Sequence, residues 1–251
     1  MTDHFERYSR QMILPGWGRE GQARLAEKTA VVIGCGGLGS HIADHLARAG
    51  VGKLLLADRD SVEFHNLPRQ ALHAEADAAA GLLRQINSLV TIEEHVLDVN
   101  ADTIEGLIAG ADVVLDGADN FEVRYLVNEA CVKHGIPWVY GGVLGTYGLT
   151  AAILPGETPC LHCLLGPMPP PSAVPTCETV GVLGPAVVVI AALEATEGLK
   201  ILLDQQEALL RNLVIVDVWS GDFERAQMQK GKARCPVCDE GRYELLDAKW
   251  G

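Results

Sequence analysis

The sequence predicts an α/β fold built on a mainly parallel sheet with helices on both faces, followed by antiparallel strands. Three observations carry this. Short β-branched runs alternate with helix-like segments through the first half of the chain, the pattern of a parallel sheet wrapped by helices. A glycine-rich turn, Gly34-Cys-Gly-Gly-Leu-Gly39, lies between the first such run and a helix. Two Cys-x-x-Cys pairs, separated by residues 164–234, stand ready to join the end of the chain to its middle.

Taken in order, strands are expected at 29–34, 53–58, 91–96, 112–116 and 137–140. The first runs into Gly-x-Gly-x-x-Gly at Gly34, Gly36 and Gly39, where glycines let the backbone turn sharply and bring a helix N-terminus against a phosphate. The core is therefore Rossmann-like. The second strand ends in Asp58, placed to meet a ribose hydroxyl. A helix at 121–134 has Asp119 or Asn120 to cap its start, and Gly135 followed by Pro137 to stop it. Further strands follow at 148–155 and 213–218, read as antiparallel. The helix at 185–203 is apolar all round in its first half, which should therefore be buried. Five prolines between Gly166 and Cys177 make that stretch a loop. No composition break marks a linker, so 1–251 reads as one domain: a helical arm at 1–28, a nucleotide-binding core at 29–141 and a later part at 142–251.

The formal net charge of −13 argues against nucleic acid or an anionic membrane as partner. The most apolar run, 180–193, contains Gly and Pro and is shorter than the roughly 20 residues a membrane span needs. The polar start Met1-Thr-Asp-His-Phe-Glu-Arg7 lacks the features of a signal peptide, so the expected location is the cytoplasm.

Seven cysteines, an odd number without an export signal, suit ligands, thiols or core positions better than disulfides. Cys160-Leu-His-Cys163 and Cys235-Pro-Val-Cys238 can offer four thiolates to one tetrahedral zinc, the alternative being redox dithiols. Four such ligands close the site. The zinc would then be structural and would pin the C-terminal tail, leaving His162 a bystander. Cys35 and Cys131 read as small packing residues. Cys177, after the proline loop and shortly before the helix opened by Pro185, is either a nucleophile favoured by a helix N-terminus or an idle loop cysteine. Asp58, Asn66, Arg69, Gln70, Asp119 and Asn120 fall near the predicted C-terminal edge of the sheet. Asp58 for a ribose, Arg69 for phosphate and Asp119 for hydrated Mg2+ suit a nucleotide with more negative charge than NAD.

Several of these stretches resemble one family. Arg7-Tyr-Ser-Arg-Gln11, the glycine turn, Asp58 with Asn66-Leu-Pro-Arg-Gln70, Asp116-Gly-Ala-Asp-Asn120, Thr176-Cys177 and both cysteine pairs are similar to the ThiF/MoeB/HesA adenylyltransferases, bacterial relatives of ubiquitin-activating enzymes. The resemblance runs from Arg7 to about Cys238. It implies ATP rather than NAD, and adenylation of the C-terminal glycine of a small β-grasp sulfur-carrier protein ending in Gly-Gly. Pyrophosphate leaves, and a sulfur donor, unspecified, then makes the thiocarboxylate.

The same resemblance implies that Gly37 contacts the nucleotide through its backbone, Asp58 holds the ribose, and Asn66 and Arg69 meet the phosphates, with Gln70 and Asn120 beside them. Asp119 would hold Mg2+, Arg10 would reach the ATP of a partner subunit in a homodimer, and Cys177 would match a loop cysteine whose role varies. The part at 142–251 becomes carrier-binding and zinc-bearing. One departure stands out. The family has a glycine turn and a phosphate-directed lysine after the Arg-Gln motif, whereas residues 70–87 contain no lysine and fall short by about seven positions in a crossover that tolerates length change. Three readings follow: a segment missing from the determined sequence, which predicts a break at residues 80–81 and an intact mass above 26.9 kDa; a true deletion with Arg84 in the lysine's place; or a scaffold that recruits a carrier without activating it. A nicotinamide dehydrogenase is the other class that the glycine turn allows.

Overall fold

A computed structural model describes residues 5–59, 76–170 and 176–248. Its helices are α1 (Gly18–Leu25), α2 (Gly37–Ala49), α3 (Ala76–Ile86), α4 (Ile104–Ile108), α5 (Phe121–His134), α6 (Leu161–Leu165), α7 (Cys177–Val180), α8 (Gly184–Leu202) and α9 (Glu244–Asp247). The strands are β1 (Thr29–Ile33), β2 (Lys53–Asp58), β3 (Thr91–Val96), β4 (Val113–Asp116), β5 (Trp138–Leu144), β6 (Tyr147–Ile153), β7 (Asn212–Asp217) and β8 (Asp222–Gln227). They form one sheet of order β3-β2-β1-β4-β5-β6-β7-β8. Pairing is parallel from β3 to β5 and antiparallel from β5 to β8.

Alternation along each strand sends its apolar residues to two cores. On one face Val32, Leu54, Leu56, Leu115 and Val139 pack with Ile42 and Leu46 of α2, Leu83 of α3 and Ile190 of α8. On the other, Val31, Ile33, Val114 and Trp138 pack with Ile104 of α4 and Leu126 and Ala130 of α5. Helices thus cover both faces, as expected. α5 is bounded as its sequence signals predict: the Asn120 side chain caps its start, and Gly135 ends it at φ +68°. No helix among the described residues is long and apolar enough to cross a membrane.

Two expectations need correction, and one strand was not foreseen. β5 continues past Tyr140 to Leu144, because pairing with β6 carries the strand through Gly141 and Gly142 despite their low strand propensity. The first half of α8 is not wholly buried: Val188 is 40% and Val189 36% exposed, since a helix lying on a sheet buries one side only. The strand β8 was illegible in the sequence because an edge strand open on both faces needs no apolar alternation; all six of its residues are exposed. Cys177 lies shortly before α8, which begins at Gly184, as expected, and opens a four-residue helix of its own, α7.

Candidate functional site

The strand order reverses between β1 and β4, so the loops leaving their C-terminal ends bound a crevice of the kind where open α/β sheets bind ligands. Glycines make that crevice. Gly34 sits at φ +85°, and a Cβ there would lie 2.5 Å from the Gly117 carbonyl oxygen. Added to Gly39, a Cβ would stand 1.8 Å from the Gly34 oxygen; added to Gly117, 2.2 Å from the same atom. Two loops therefore touch backbone to backbone at the switch point. The N-terminus of α2 follows directly, with Gly36 as N-cap and no side chain capping it. Its first N–H groups, at Gly37 and beyond, face the crevice with the positive end of the helix dipole. Asp58, ending β2, accepts the Cys35 backbone N–H at 2.5 Å and so ties the neighbouring strand to the turn. Burial, and then the Asp58 charge, push the Cys35 thiol far above its ordinary range, in keeping with an inert packing residue.

The loop after β4 is held from beneath. Asp116 Oδ1 accepts the Ala118 N–H at 2.9 Å, Arg124 Nε donates to Asp116 Oδ2 at 3.0 Å, and Arg124 Nη2 donates to the Ala118 carbonyl at 2.6 Å. Phe121 and Tyr140 flank the guanidinium, with ring centroids 5.6 and 5.7 Å from its central carbon. This clamp presents Asp119 as an exposed carboxylate whose Oδ1 accepts from Asn120 Nδ2 at 3.1 Å. An exposed carboxylate beside such a crevice fits a hydrated cation such as Mg2+. Asn120 Oδ1 accepts the Val123 N–H at 2.9 Å, so that oxygen serves the helix. Behind the clamp, on α8, Glu194 is fully buried and neither carboxylate oxygen has a hydrogen-bond partner. Burial first, and then the Asp116 charge, drive it well above the usual carboxylate range, against the pull of Arg124. Arg124 and Glu194 escaped sequence reasoning. The one available signal was an Asp ending a strand and an Arg in the next helix.

Gly37, Asp58, Asp119 and Asn120 thus surround one crevice, while Asn66, Arg69 and Gln70 lie outside the described residues. Arg10 does not join them. Its arm is fixed to the C-terminal end of α2, where Gln11 Nε2 donates to the Ala49 carbonyl at 2.7 Å. The crevice lies at the other end of this 13-residue helix, about 20 Å away. Cys177 is exposed, and its Sγ donates to the Val143 carbonyl at 3.8 Å. Gly145 N–H to Gly181 O at 2.9 Å and Leu183 N–H to Gly145 O at 2.8 Å tie this segment to the β5–β6 turn.

The cysteine pairs meet. Cys160 Sγ lies 3.9 Å from Cys163 Sγ and 3.7 Å from Cys235 Sγ, and Cys163 Sγ lies 3.5 Å from Cys238 Sγ. Tetrahedral zinc with Zn–S bonds of about 2.3 Å places its sulfurs about 3.8 Å apart, so the four thiols fit that ion. Burial and the neighbouring thiols push Cys160 up to about 12, which a bound cation would reverse. Asp239 braces the cluster by accepting the Cys235 N–H at 2.8 Å, and His162 stands beside it, Nδ1 3.8 Å from Cys235 Sγ.

Residues 8–237 match the ThiF family. The chain belongs to that family. A sulfur carrier protein ThiS adenylyltransferase of Bacillus subtilis (strain 168) is 44% identical over 253 residues, covering 96% of this chain and 73% of that protein. A SAMP-activating enzyme E1 of Haloferax volcanii is 39% identical over 249 residues, covering 96% of this chain and 92% of its own length. The crystal structure of E. coli MccB with ATP superposes with a TM-score of 0.77 at 25% identity, over 93% of this chain and 74% of that one.

In this ThiF-family chain the departure at residues 70–87 has a structural counterpart. Residues 80 and 81 lie within α3, and a Cβ on Gly81 would meet nothing within 4 Å. Arg84 sits in the last turn of α3, where Nη2 donates to the Ile92 carbonyl at 2.8 Å and to Glu94 Oε2 at 2.5 Å. Both acceptors belong to β3. In this structure Arg84 therefore engages the sheet edge.

Proposed function

We propose that this ThiF-family enzyme is an adenylyltransferase that uses ATP to activate the C-terminal glycine carboxylate of a small ubiquitin-like sulfur-carrier protein. One observation carries the reading: Asp58, the uncapped start of α2 and Asp119 surround a crevice made by close glycine contacts at the β1/β4 switch point of a chain 44% identical to a ThiS adenylyltransferase. In the reaction a carboxylate oxygen of the carrier forms a bond to the α-phosphorus, the bond from that phosphorus to the β-bridging oxygen breaks, and pyrophosphate leaves. The nucleophile is already ionised, so no general base is needed. Two anions must instead be brought together, which requires fixed positive groups and alignment.

The backbone N–H groups from Gly37 onward and Arg69 would bind phosphates, Asn66 and Gln70 would support them, and Asp58 would take the ribose. Asp119 would hold Mg2+, which when bound neutralises charge on the polyphosphate. Arg10 is too far from its own crevice to serve it, which supports a homodimer in which each arm serves the other subunit. Exposed Val188 and Val189 on α8 suit a face that a second copy covers. The cysteine cluster would hold one structural zinc.

The test is ATP–pyrophosphate exchange in the presence of a carrier with a free C-terminal glycine. Exchange that is lost in Asp119→Ala supports the assignment; exchange that persists there removes Asp119 as the metal ligand. A second reading, a nucleotide-binding scaffold, is favoured by the missing lysine and by the engagement of Arg84 with β3. Carrier binding without exchange by the unaltered protein would select it.

A further inference from the structure

We infer that Asn87 is a positioning residue that holds Arg10 in place for use by the second copy of the chain; this rests on the two-subunit reading above. Asn87 is fully buried between α3 and β3. Its Nδ2 donates to the Tyr8 hydroxyl at 2.8 Å and to the Ala47 carbonyl at 2.7 Å. Its Oδ1 accepts from Arg7 Nη1 at 2.5 Å and from the Leu89 N–H at 3.2 Å. A side-chain amide has two donor hydrogens and an oxygen with two lone pairs, so this one is fully used. It joins the arm, the end of α2 and the α3–β3 turn.

A second buried amide completes the fixture. Gln22 Nε2 donates to the Ala49 carbonyl at 2.9 Å, and its Oε1 accepts from Gln11 Nε2 at 2.6 Å and Trp17 Nε1 at 3.0 Å. Arg10 lies between the anchored Tyr8 and Gln11. Its own side chain is exposed and makes no hydrogen bond or ion pair among the described residues. Satisfied buried polar networks impose one geometry where apolar contact would permit several. Here that geometry fixes the backbone on both sides of a free guanidinium, at the end of α2 remote from its own crevice. The arrangement serves a ligand outside this chain's own site, and the triphosphate in the partner's crevice has the matching charge.

The experiment uses dimers assembled from two differently tagged chains and purified through both tags. Asn87→Ala is paired with Asp119→Ala, and Arg7→Ala, a surface change in the same network, is the companion variant should Asn87→Ala fail to fold. Either arm variant alone should lose exchange by roughly tenfold to a hundredfold, the effect of small misplacement of a positioned group. Mixed with Asp119→Ala, each should recover about half of the unaltered dimer's activity, because one site then joins an intact Asp119 to an arm held by an intact Asn87. Amide hydrogen exchange over residues 6–14 should quicken in both arm variants and not in Arg10→Ala. If Arg10→Ala mixed with Asp119→Ala recovers activity while neither arm variant does, the positioning role is wrong. If Arg10→Ala itself fails to recover, the two-subunit reading is what fails, and the inference falls with it.

Discussion

Arg124 donates to Asp116 across 3.0 Å with both side chains almost wholly out of water, 10% and 2% exposed. Removing one partner would leave a buried charge uncompensated. Arg124→Leu should therefore cost about 3–5 kcal/mol, read as a shift in the denaturant midpoint. Arg124→Lys keeps the charge but loses the fork that reaches Asp116 and the Ala118 carbonyl together, so it should retain more stability and still weaken Mg2+-dependent nucleotide binding. Unchanged nucleotide affinity in a folded Arg124→Lys protein would separate the clamp from the site.

Gly117→Ala tests the glycine contact directly. The new methyl would meet the Gly34 carbonyl at 2.2 Å, and neither backbone can give way without reshaping the crevice. Nucleotide affinity, measured by calorimetry, should fall by at least about tenfold.

Glu194 gives a pH signature. Burial raises its pKa in the folded chain, so the native state holds this proton more tightly than the unfolded one. Its contribution is full below the unfolded value of about 4.3 and drains away as pH rises through the raised folded value. The charged groups facing it are Asp116, which adds to the rise, and Arg124, which opposes it. Glu194→Gln is neutral throughout and should gain on the unaltered protein between about pH 5 and about pH 8 in urea denaturation. A constant difference across that range would mean that Glu194 is not the titrating group.

Metal analysis after brief washing with chelator should find about one zinc per chain. Prolonged chelation should make four thiols reactive that were protected before and lower the melting temperature. Four thiols that react at once in freshly prepared protein would argue against a bound metal.

Cys177→Ser should leave pyrophosphate exchange within about twofold of the unaltered protein, because adenylation uses a carboxylate nucleophile and no thiol. Any defect should be confined to the later sulfur step.

Much of the fold was legible because periodicity and glycine chemistry are local. The strand run ending at Gly34 and the caps of α5 at Asn120 and Gly135 are written in adjacent residues. The contacts that build the site are not. That Gly117 touches Gly34, or that Arg124 reaches Asp116 and Ala118, depends on which strands become neighbours. The exposure of Val188 and Val189 likewise depends on how much of α8 the sheet can cover. β8 carried no signal at all, since an edge strand with both faces in water is held by its ladder to β7 and by nothing in its own pattern.

The distance along the chain between the two cysteine pairs bears on what a bound ion would hold together. Residues 164–234 include α8, β7 and β8, so bringing the second pair to the first closes a long loop, whose entropy the packing of those elements offsets. In a compact zinc module the ion organises the chain from the start. Here the ion would instead join two parts of the chain that are distant in sequence, and its loss would be felt as a loosening of the C-terminal tail.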